Sequence, residues 1–560
     1  MRHLFHNLIS DDSSNQHGSR AVILALSLAT CAFGATHLSA QQPAQAPVVR
    51  LVEGPVVGVQ EGALRIFRGI PYVAAPTGER RWRPPQPIAP WTAPRAAREF
   101  GPICPQTDAI AKAYGAALQP TSEDCLTLNV WTTAEAADAK RPVMVFLHGG
   151  SLTHGTGREI IYDGASFAAR GVVLVTFNYR LGALGFLAHP ALSAESPRGV
   201  SGNYGLLDQI ALLQWVQRNI AAFGGDPRNV TIFGESAGAY SVGYHLVSPL
   251  SAGLFQKAIM ESGSPFRAIA PLRTTLDTLR SAERVGAAWV ASLGVTDSSR
   301  VLATLRAMPA DSILARSAKA SMGTFPEAVD GWVFPEHPAV AMARGRHVAV
   351  PIMIGSNADE GTLLATPPVS NRRGLDSLMQ VLYGARADSL RPLYPRPLWN
   401  GVTRAYRSLW TDEVFGVTAR ATARAMVQRG APAYRYYYTR VGRGLTGMVI
   451  GAFHASELPF VFGIRGQSNR IWGTTPYDEA LTEAMNGAWA RFAATGNPNG
   501  GTLPLWPAYE AATDSYFEFG PTLRAGTGLR TAQFNALDGV LSWRVTAFEQ
   551  AIGRVSAGER

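Results

Sequence analysis

The amino-acid sequence predicts an α/β fold in which a mostly parallel central sheet carries helices on both faces. Apolar runs rich in β-branched residues are typical of buried strands, and the clearest are residues 142–147, 172–177, 230–233, 351–354 and 434–438. Between the second and third runs, the apolar residues of segment 205–223 recur at helical spacing. Strands that alternate with helices favour a parallel sheet, and ligands bind at the carboxyl ends of such strands.

The chain is predicted to form one domain over residues 41–560. Its 560 residues would allow more than one domain by length alone, but no low-complexity linker or internal repeat interrupts the pattern after about residue 47. Segments 266–345 and 366–430 are more helical and lack the strand rhythm. We interpret them as insertions that pack beside the sheet and shape the substrate entrance.

The N-terminal residues 1–40 are predicted to be a secretory signal segment. A short apolar run at 21–35 follows Arg20, and small residues lead to Ala40 before Gln41. The run is short for a membrane span, which needs about 20 apolar residues. An uncleaved anchor is the alternative. We expect a secreted or periplasmic protein without a stable membrane span once the signal is cleaved.

The cysteines indicate one disulfide. Cys31 lies in the predicted signal, which leaves Cys104 and Cys125 as an even pair in an exported chain. The bridge would close a loop worth about 3 kcal/mol in the chain-entropy model; two free thiols are the alternative. The sequence contains no Cys–His cluster with metal-ligand spacing, so no metal or cofactor is expected.

The composition and the charge distribution argue against a disordered protein and against a nucleic-acid-binding protein. Hydrophobic residues make up 46% of the chain and charged residues 16%, which is typical of a globular protein. The net charge is +10, but the arginines are spread along the chain without interleaved aromatics or a helix-turn-helix pattern. We therefore expect no nucleic-acid partner.

The segment GESAG at 234–238 is the strongest candidate for a catalytic site. It follows the predicted strand 230–233 and precedes an apolar helical stretch at 239–247. This is the strand–turn–helix context in which the α/β-hydrolase fold exposes its nucleophile. The sequence therefore predicts Ser236 as a nucleophile, placed at a helix N-terminus that favours developing negative charge.

A serine nucleophile needs a base and an acid, which follow it along the chain in this fold. His454 is the only histidine beyond residue 347, and it lies in a glycine-bounded segment after the strand at 434–438. The acid should follow a strand between the two, and the run 351–354 leads to Asp359 and Glu360. Either carboxylate could orient the imidazole, so position alone leaves both open.

The oxyanion formed by attack on an ester carbonyl needs hydrogen-bond donors. The strand at 142–147 ends in His148, Gly149, Gly150 and Ser151, where glycines let backbone N–H groups approach a substrate closely. Together with the N–H of Ala237, the N–H groups of Gly149, Gly150 and Ser151 are predicted to form the oxyanion hole. Loss of one such donor costs about 3 kcal/mol of transition-state stabilisation.

A series of motifs in one order resembles the type-B carboxylesterases, the relatives of the cholinesterases. The resemblance spans about residues 52–519 and includes FRGIPY (67–72), RWRPP (81–85), SEDCLTLNVW (122–131), NYR (178–180), GNYGLLDQ (202–209), FGGDP (223–227), the serine motif and ESGS (261–264). It implies an α/β-hydrolase fold and a Ser–Glu–His triad.

Residue by residue, the resemblance implies the triad Ser236, Glu360 and His454 and so favours Glu360 over Asp359. It implies that Glu235 and Ser262 lie next to the catalytic group, and that Cys104 and Cys125 form the family's first disulfide. Many members carry a third glycine where this chain has Ser151.

The chain departs from the cholinesterase pattern in its substrate pocket. Residues 105–124 contain no tryptophan that could hold a quaternary ammonium, only Tyr114, and the acyl-pocket tryptophan is replaced by Ile269. Choline esters are therefore not expected. Arg267 is close in sequence to that pocket, and we hypothesise that it favours an acyl group bearing a carboxylate.

These observations predict a serine carboxylester hydrolase that acts through an acyl-enzyme on small-molecule esters. A specialist using the same site, such as a lipase, an amidase or a toxin-degrading esterase, is the first alternative. A non-catalytic adhesion or binding member of the same family is the second.

Overall fold

The computed structural model describes residues 46–558 except 109–111, 113–116, 118, 277–278, 296, 298, 318–324, 396–400 and 465–472. The predicted signal segment 1–40 and Tyr114 lie outside the described residues.

The described chain is organised around an 11-stranded sheet. Its strands, in chain order, are β1 Val59–Glu61, β2 Leu64–Pro71, β3 Thr127–Thr132, β4 Arg141–Leu147, β5 Val173–Phe177, β6 Gly225–Glu235, β7 Lys257–Glu261, β8 Ile352–Asn357, β9 Ala433–Tyr438, β10 Ser515–Phe519 and β11 Arg524–Thr527. Smaller sheets join Val48–Arg50, Pro55–Val57 and Arg95–Ala96, and Ala270–Pro271 with Ala328–Val329.

The order across the large sheet is β11-β10-β9-β8-β7-β6-β4-β5-β3-β2-β1. All neighbouring pairs from β10 to β5 are parallel, whereas β11 and the β1–β2–β3 edge pair antiparallel with their neighbours. The predicted mostly parallel sheet is confirmed, and each strand run predicted from the sequence lies within or overlaps a strand of this sheet.

The α-helices flank the sheet and fill the segments between its strands. They are α1 Ala165–Ala169, α2 Gly182–Phe186, α3 Pro190–Glu195, α4 Tyr204–Asn219, α5 Ala237–Val247, α6 Ala282–Ser292, α7 Val301–Ala307, α8 Ala310–Ser317, α9 Pro338–Ala343, α10 Gly361–Leu364, α11 Arg372–Tyr383, α12 Ala387–Leu390, α13 Gly401–Thr411, α14 Val417–Gln428, α15 Gly444–Ile450, α16 Leu458–Val461, α17 Asp478–Thr495 and α18 Thr531–Gly558. A single π-turn, Asp412–Gly416, joins α13 to α14.

Both faces of the sheet are buried, which explains why its central strands have uninterrupted apolar sequences. Val143 and Val145 of β4 belong to one hydrophobic cluster, whereas Met144 and Phe146 belong to another. Because side chains alternate along a strand, the two clusters lie on opposite faces. Because these strands are parallel, the loops that follow them all leave the sheet at the same edge.

Cys104 and Cys125 form the predicted disulfide, with an S–S distance of 2.02 Å. Both cysteines are buried beside the turn that precedes β3. Among the helices of the described residues, none combines the length and hydropathy needed to cross a bilayer.

Candidate active site

Ser236 lies at the sharp turn between β6 and α5. Its backbone has φ 56° and ψ −122°, a conformation that a non-glycine residue rarely adopts. Such strain is typical of functional turns that are held by the surrounding structure. The amide of Ser236 donates to the carbonyl of Glu261 at 2.9 Å, which ties the turn to the neighbouring strand β7.

The glycines of the serine motif are required by close backbone contacts. A Cβ on Gly238 would lie 1.9 Å from the carbonyl oxygen of Leu147, at the end of β4. A Cβ on Gly234 would lie 2.6 Å from the backbone of Gly238. The turn can therefore pack against β4 only because these positions lack side chains.

The carboxylate of Glu360 follows β8 and is fully buried. Its Oε1 accepts hydrogen bonds from Ser262 Oγ at 2.5 Å and from the amide of Asn357 at 2.8 Å. Its Oε2 lies 2.6 Å from Nδ1 of His454. With both oxygens engaged, this carboxylate can hold the imidazole through Nδ1 and leave Nε2 to other contacts.

Asp359, the other candidate acid, has a different partner. Its Oδ2 accepts from the amide of Ala452 at 2.9 Å, and its own amide donates to the carbonyl of Ala452. Asp359 therefore anchors the histidine loop through the backbone rather than through the imidazole. The structure brings Glu360, not Asp359, to His454.

Nε2 of His454 lies 3.1 Å from Oε1 of Glu235, the residue that precedes Ser236. Burial alone lowers the pKa of His454, but the charges of Glu235 and Glu360 outweigh it and raise that pKa above its ordinary value. The predicted contact of Glu235 with the catalytic group is therefore electrostatic.

Two further glutamates lie in the same buried region. Glu457 Oε2 accepts from Asn357 Nδ2 at 2.5 Å, and Glu261 Oε1 accepts from the indole N–H of Trp489 at 2.8 Å. Burial raises the pKa of both carboxyl groups, and the neighbouring Glu235 raises each further. The site thus gathers several carboxylates around one imidazole, and protons must be shared among them.

The loop after β4 passes directly beside the serine. A Cβ on Gly149 would lie 3.2 Å from Ser236 Cβ and 2.8 Å from the carbonyl oxygen of Glu235. Gly150 has φ 103° and Ser151 has φ 58°, so Ser151 occupies a left-handed conformation that glycine adopts more readily. Among the described residues, the amides of Gly150, Ser151 and Ala237 donate no turn or loop hydrogen bond.

A buried pair of rings supports this loop. His148 stacks on Tyr179 with ring centroids 4.3 Å apart, and the hydroxyl of Tyr179 donates to the carbonyl of His148 at 2.8 Å. Burial lowers the pKa of His148 to about 4, so its imidazole is neutral at ordinary pH. His148 therefore supports the loop through its stacked ring and its carbonyl oxygen.

Arg267, the hypothesised acyl-pocket cation, already has an anionic partner. Its Nη1 lies 3.5 Å from Oε1 of Glu327, and its guanidinium lies 5.3 Å from the ring centre of Tyr240. The Arg267 side chain is 38% exposed, whereas that of Glu327 is 2% exposed. The guanidinium is thus paired with a buried carboxylate and lies over an aromatic ring.

Sequence reasoning missed several contributors to this site. Glu457 and Glu261 stand inside the segments already singled out, so their proximity to His454 and Ser262 was a usable signal. Phe415, whose ring stacks on the His454 imidazole at a centroid distance of 5.4 Å, had none. It lies in the helical segment 366–430 and is brought to the site only by tertiary packing.

Comparison with known proteins gives a consistent result. Residues 45–537 match the family described as "Carboxylesterase family". The chain is 36% identical over 510 residues to a fumonisin B1 esterase of Sphingopyxis macrogoltabida, covering 89% of this chain and 92% of the relative. It is 37% identical over 480 residues to a para-nitrobenzyl esterase of Bacillus subtilis (strain 168), covering 83% and 93%.

Solved structures show the same likeness. A PNB esterase superposes with a TM-score of 0.77 at 33% identity, covering 88% of this chain and 99% of that one. A carboxylesterase of Geobacillus stearothermophilus gives a TM-score of 0.76 at 35% identity, with the same coverage of 88% and 99%. The α/β-hydrolase fold is therefore confirmed. The chain belongs to the carboxylesterase family and is a serine hydrolase of carboxylic esters.

Proposed function

We propose that Ser236 is the nucleophile of this ester hydrolase, that His454 is its general base and acid, and that Glu360 orients the imidazole. The observation that carries the proposal is the 2.6 Å contact between Glu360 Oε2 and His454 Nδ1, in an imidazole whose Nε2 lies 3.1 Å from Glu235, the residue before the strained Ser236. A serine, a base and an orienting carboxylate are the minimum that acyl transfer requires.

In the first half of the reaction, His454 Nε2 takes the proton of the Ser236 hydroxyl as Oγ attacks the ester carbonyl. The carbonyl oxygen becomes an oxyanion, and the amides of Gly150, Ser151 and Ala237 donate to it, while Gly149 gives the loop room to approach. The C–O bond then breaks, and the alcohol leaves with the proton from His454. An acyl group remains on Ser236 Oγ.

In the second half, water replaces the alcohol. His454 takes a proton from the water as its oxygen attacks the acyl carbon, and the same amides hold the second oxyanion. Collapse breaks the bond to Ser236 Oγ, which regains its proton from His454. The products are a carboxylic acid and free enzyme, and neither step needs a metal ion or cofactor.

An organophosphate probe tests these roles. We expect one phosphoryl adduct on Ser236, located by mass spectrometry of peptides, together with loss of ester hydrolysis. The Ser236→Ala variant should take up no adduct at this position and should lose activity by about 10⁴-fold or more. Its melting temperature should equal that of the wild type. An unlabelled, inactive wild type would favour a non-catalytic binding protein instead.

The substrate of this site is proposed to be a small-molecule carboxylic ester, as in the esterases it resembles. A toxin-degrading specialist is the favoured alternative, since one relative is named for fumonisin B1. We expect simple aryl and alkyl esters to be hydrolysed with higher kcat/KM than triglycerides or anilides. A kcat/KM for fumonisin B1 that exceeds those for simple esters would instead identify the specialist.

We also propose that the protein is exported and acts outside the cytoplasm. The Cys104–Cys125 disulfide supports this, since disulfides persist mainly in oxidising compartments. The apolar run at 21–35 supports it independently. Expression of the full chain followed by N-terminal analysis of the extracellular and periplasmic fractions should give a chain that begins at Gln41. An intact N-terminus in the membrane fraction would indicate an anchor.

A further inference from the structure

The aromatic face of Phe415 lies against the imidazole that the proposed function uses as its base. The two ring centroids are 5.4 Å apart and the ring planes are inclined by 27°. Phe415 is 3% exposed, and its ring also contacts Trp410 at 5.4 Å and Tyr240 at 6.5 Å. The contact is thus one side of a packed aromatic group and not an incidental touch at the surface.

The π-turn that carries Phe415 is firmly anchored. Asp412, its first residue, accepts hydrogen bonds from Tyr394 Oη at 2.8 Å and Arg530 Nε at 2.8 Å. The next residue, Glu413, pairs with Arg544 and accepts from the hydroxyl of Tyr383. Single π-turns within helices are rare and occur frequently at functional sites.

The same helical segment also reaches the loop of the orienting acid. The amide of Gly361, which follows Glu360, donates to Thr411 Oγ1 at 2.9 Å. A Cβ on Gly361 would lie 2.6 Å from the carbonyl oxygen of Arg407 in α13. The insertion therefore contacts the imidazole through Phe415 and the acid loop through Thr411.

Besides its covalent attachment to Cβ, the imidazole is held by one bond, from Nδ1 to Glu360. A small combined rotation about χ1 and χ2 could keep this bond and still move Nε2 away from the serine. A flat, immobile neighbour against the ring face opposes that rotation. The ring face of phenylalanine also carries partial negative charge, which attracts a cation placed over it.

We propose, on the basis of the proposed function, that Phe415 is a positioning residue for His454. It holds the plane of the imidazole for proton transfer and stabilises the imidazolium that forms as Ser236 attacks. The helical insertion thereby contributes to the chemical step.

The charges around the imidazole act in the same direction. Glu360, Glu235 and Glu457 all face His454 and favour its protonated form. The two carboxylates of the π-turn are instead engaged by Arg530 and Arg544. Phe415 is therefore the uncharged contribution to imidazolium stability from this side of the site, and it can be removed without changing any charge.

The test replaces Phe415 with Leu, which retains burial but removes the aromatic face, and with Tyr, which retains that face. Activity of the full chain toward one neutral ester is measured against pH and normalised to sites titrated with the organophosphate. We expect Phe415→Leu to lower kcat by about tenfold with KM within about twofold. In the plot of kcat against pH, the fall in activity on the acid side should move about half a pH unit lower, because the protonated imidazole loses a stabilising contact. Phe415→Tyr should stay near the wild type in both respects.

Phe534→Leu is the matched control. Phe534 packs against Gly416 of the same π-turn, where a Cβ would lie 2.5 Å from its ring, and among the described ring contacts it has none with His454. This variant should keep the wild-type pH profile. A kcat and pH profile of Phe415→Leu equal to the wild type, or the same shift in Phe534→Leu, would overturn the inference. Phe415→Met repeats the test if the leucine variant does not fold.

Failure of the inference differs from failure of the proposed function. If the wild type labels at Ser236 and hydrolyses esters but Phe415→Leu is unchanged, only the positioning role is wrong. If the wild type neither labels nor hydrolyses, the proposed function itself is wrong.

Discussion

Two buried charge clusters in this chain have opposite designs. Arg180, which follows β5, binds both carboxylate oxygens of Asp208 on α4, at 2.8 Å from Nε and 2.7 Å from Nη2. The amide of Arg180 donates to the same carboxylate, and its Nη1 donates to the carbonyl of Arg83 at 2.8 Å. One cation thus meets one anion in a bidentate arrangement, with the remaining donors satisfied by backbone.

The cluster around His454 contains more carboxylates than cations. Among the described residues, Glu261 Oε2 and Glu457 Oε1 are buried without a hydrogen-bond partner, and Glu235 Oε1 has only its 3.1 Å contact with His454 Nε2. Leaving such groups unpaired is costly, since each loses its hydration. The matched pair therefore neutralises its own charge inside the fold, whereas the unmatched cluster produces an electrostatic bias that favours a positive charge on the imidazole.

Glu360→Gln should give the largest loss of activity. The amide can still accept from Ser262 and Asn357 through its oxygen, but its NH₂ group would face Nδ1 of His454 and favour the wrong tautomer. We expect kcat to fall by about 10⁴-fold. The melting temperature should stay within a few degrees of the wild type, because the cluster around His454 loses one of its surplus negative charges. Steady-state kinetics measures the change in kcat, and calorimetry measures the melting temperature. A large fall in melting temperature with only a modest loss of activity would contradict the orienting role of Glu360.

Arg180→Met should have the opposite effect. It leaves the carboxylate of Asp208 buried without its cation, and we expect the free energy of unfolding to fall by about 3–5 kcal/mol. Activity per titrated site should be unchanged. The double variant Arg180→Met/Asp208→Leu should recover much of that loss, measured by denaturant unfolding. If the double variant is as unstable as the single one, the pair has a role beyond charge matching.

Glu235→Gln should shift the pH dependence. His454 acts as a base only when neutral, and the negative charge of Glu235 raises the pKa of its imidazole. Removing that charge lowers the pKa, so the acid limb of kcat/KM should move to lower pH by about one unit. Asp359→Asn is the control, since that carboxylate bonds the Ala452 amide, and its profile should not move. If the acid limb of kcat/KM moved to higher pH in Glu235→Gln, Glu235 would not raise the pKa of His454.

The sequence predicts those parts of this site that depend on short, local patterns of residues. The serine turn follows from two glycines that β4 forces to lack side chains, and the histidine follows from its being alone in the last part of the chain. The choice between Asp359 and Glu360 needed either the family resemblance or the structure, because neighbouring carboxylates in one loop differ only in direction.

Other contacts could not be read from the sequence because they join distant segments with no shared pattern. Trp489 of α17 donates to Glu261 across 228 positions. Phe415 reaches His454 from segment 366–430, whose sequence indicates only helices, and the local π-turn that positions Phe415 has no recognisable sequence pattern. Such contacts are set by tertiary packing, which overrides local preference.

Arg267→Ala provides the smallest expected effect and tests the hypothesis of an acidic acyl group. The guanidinium is already paired with Glu327 at 3.5 Å, so the pair has no net charge, and Glu235 and Glu360 contribute negative charge nearby. An anionic acyl group therefore gains little from Arg267. We expect the ratio of kcat/KM between an acidic ester and its neutral methyl ester to change by less than about threefold.

Taking this ratio removes any general loss of activity caused by leaving Glu327 without its partner. Arg273→Ala, at a 60% exposed side chain farther along the same segment, is the matched control and should leave the ratio unchanged. A change of more than about tenfold in Arg267→Ala alone would show that its guanidinium binds the substrate carboxylate. In that case the Arg267–Glu327 pair would do more than neutralise its own charges. Glu327 would orient the guanidinium toward the acyl group.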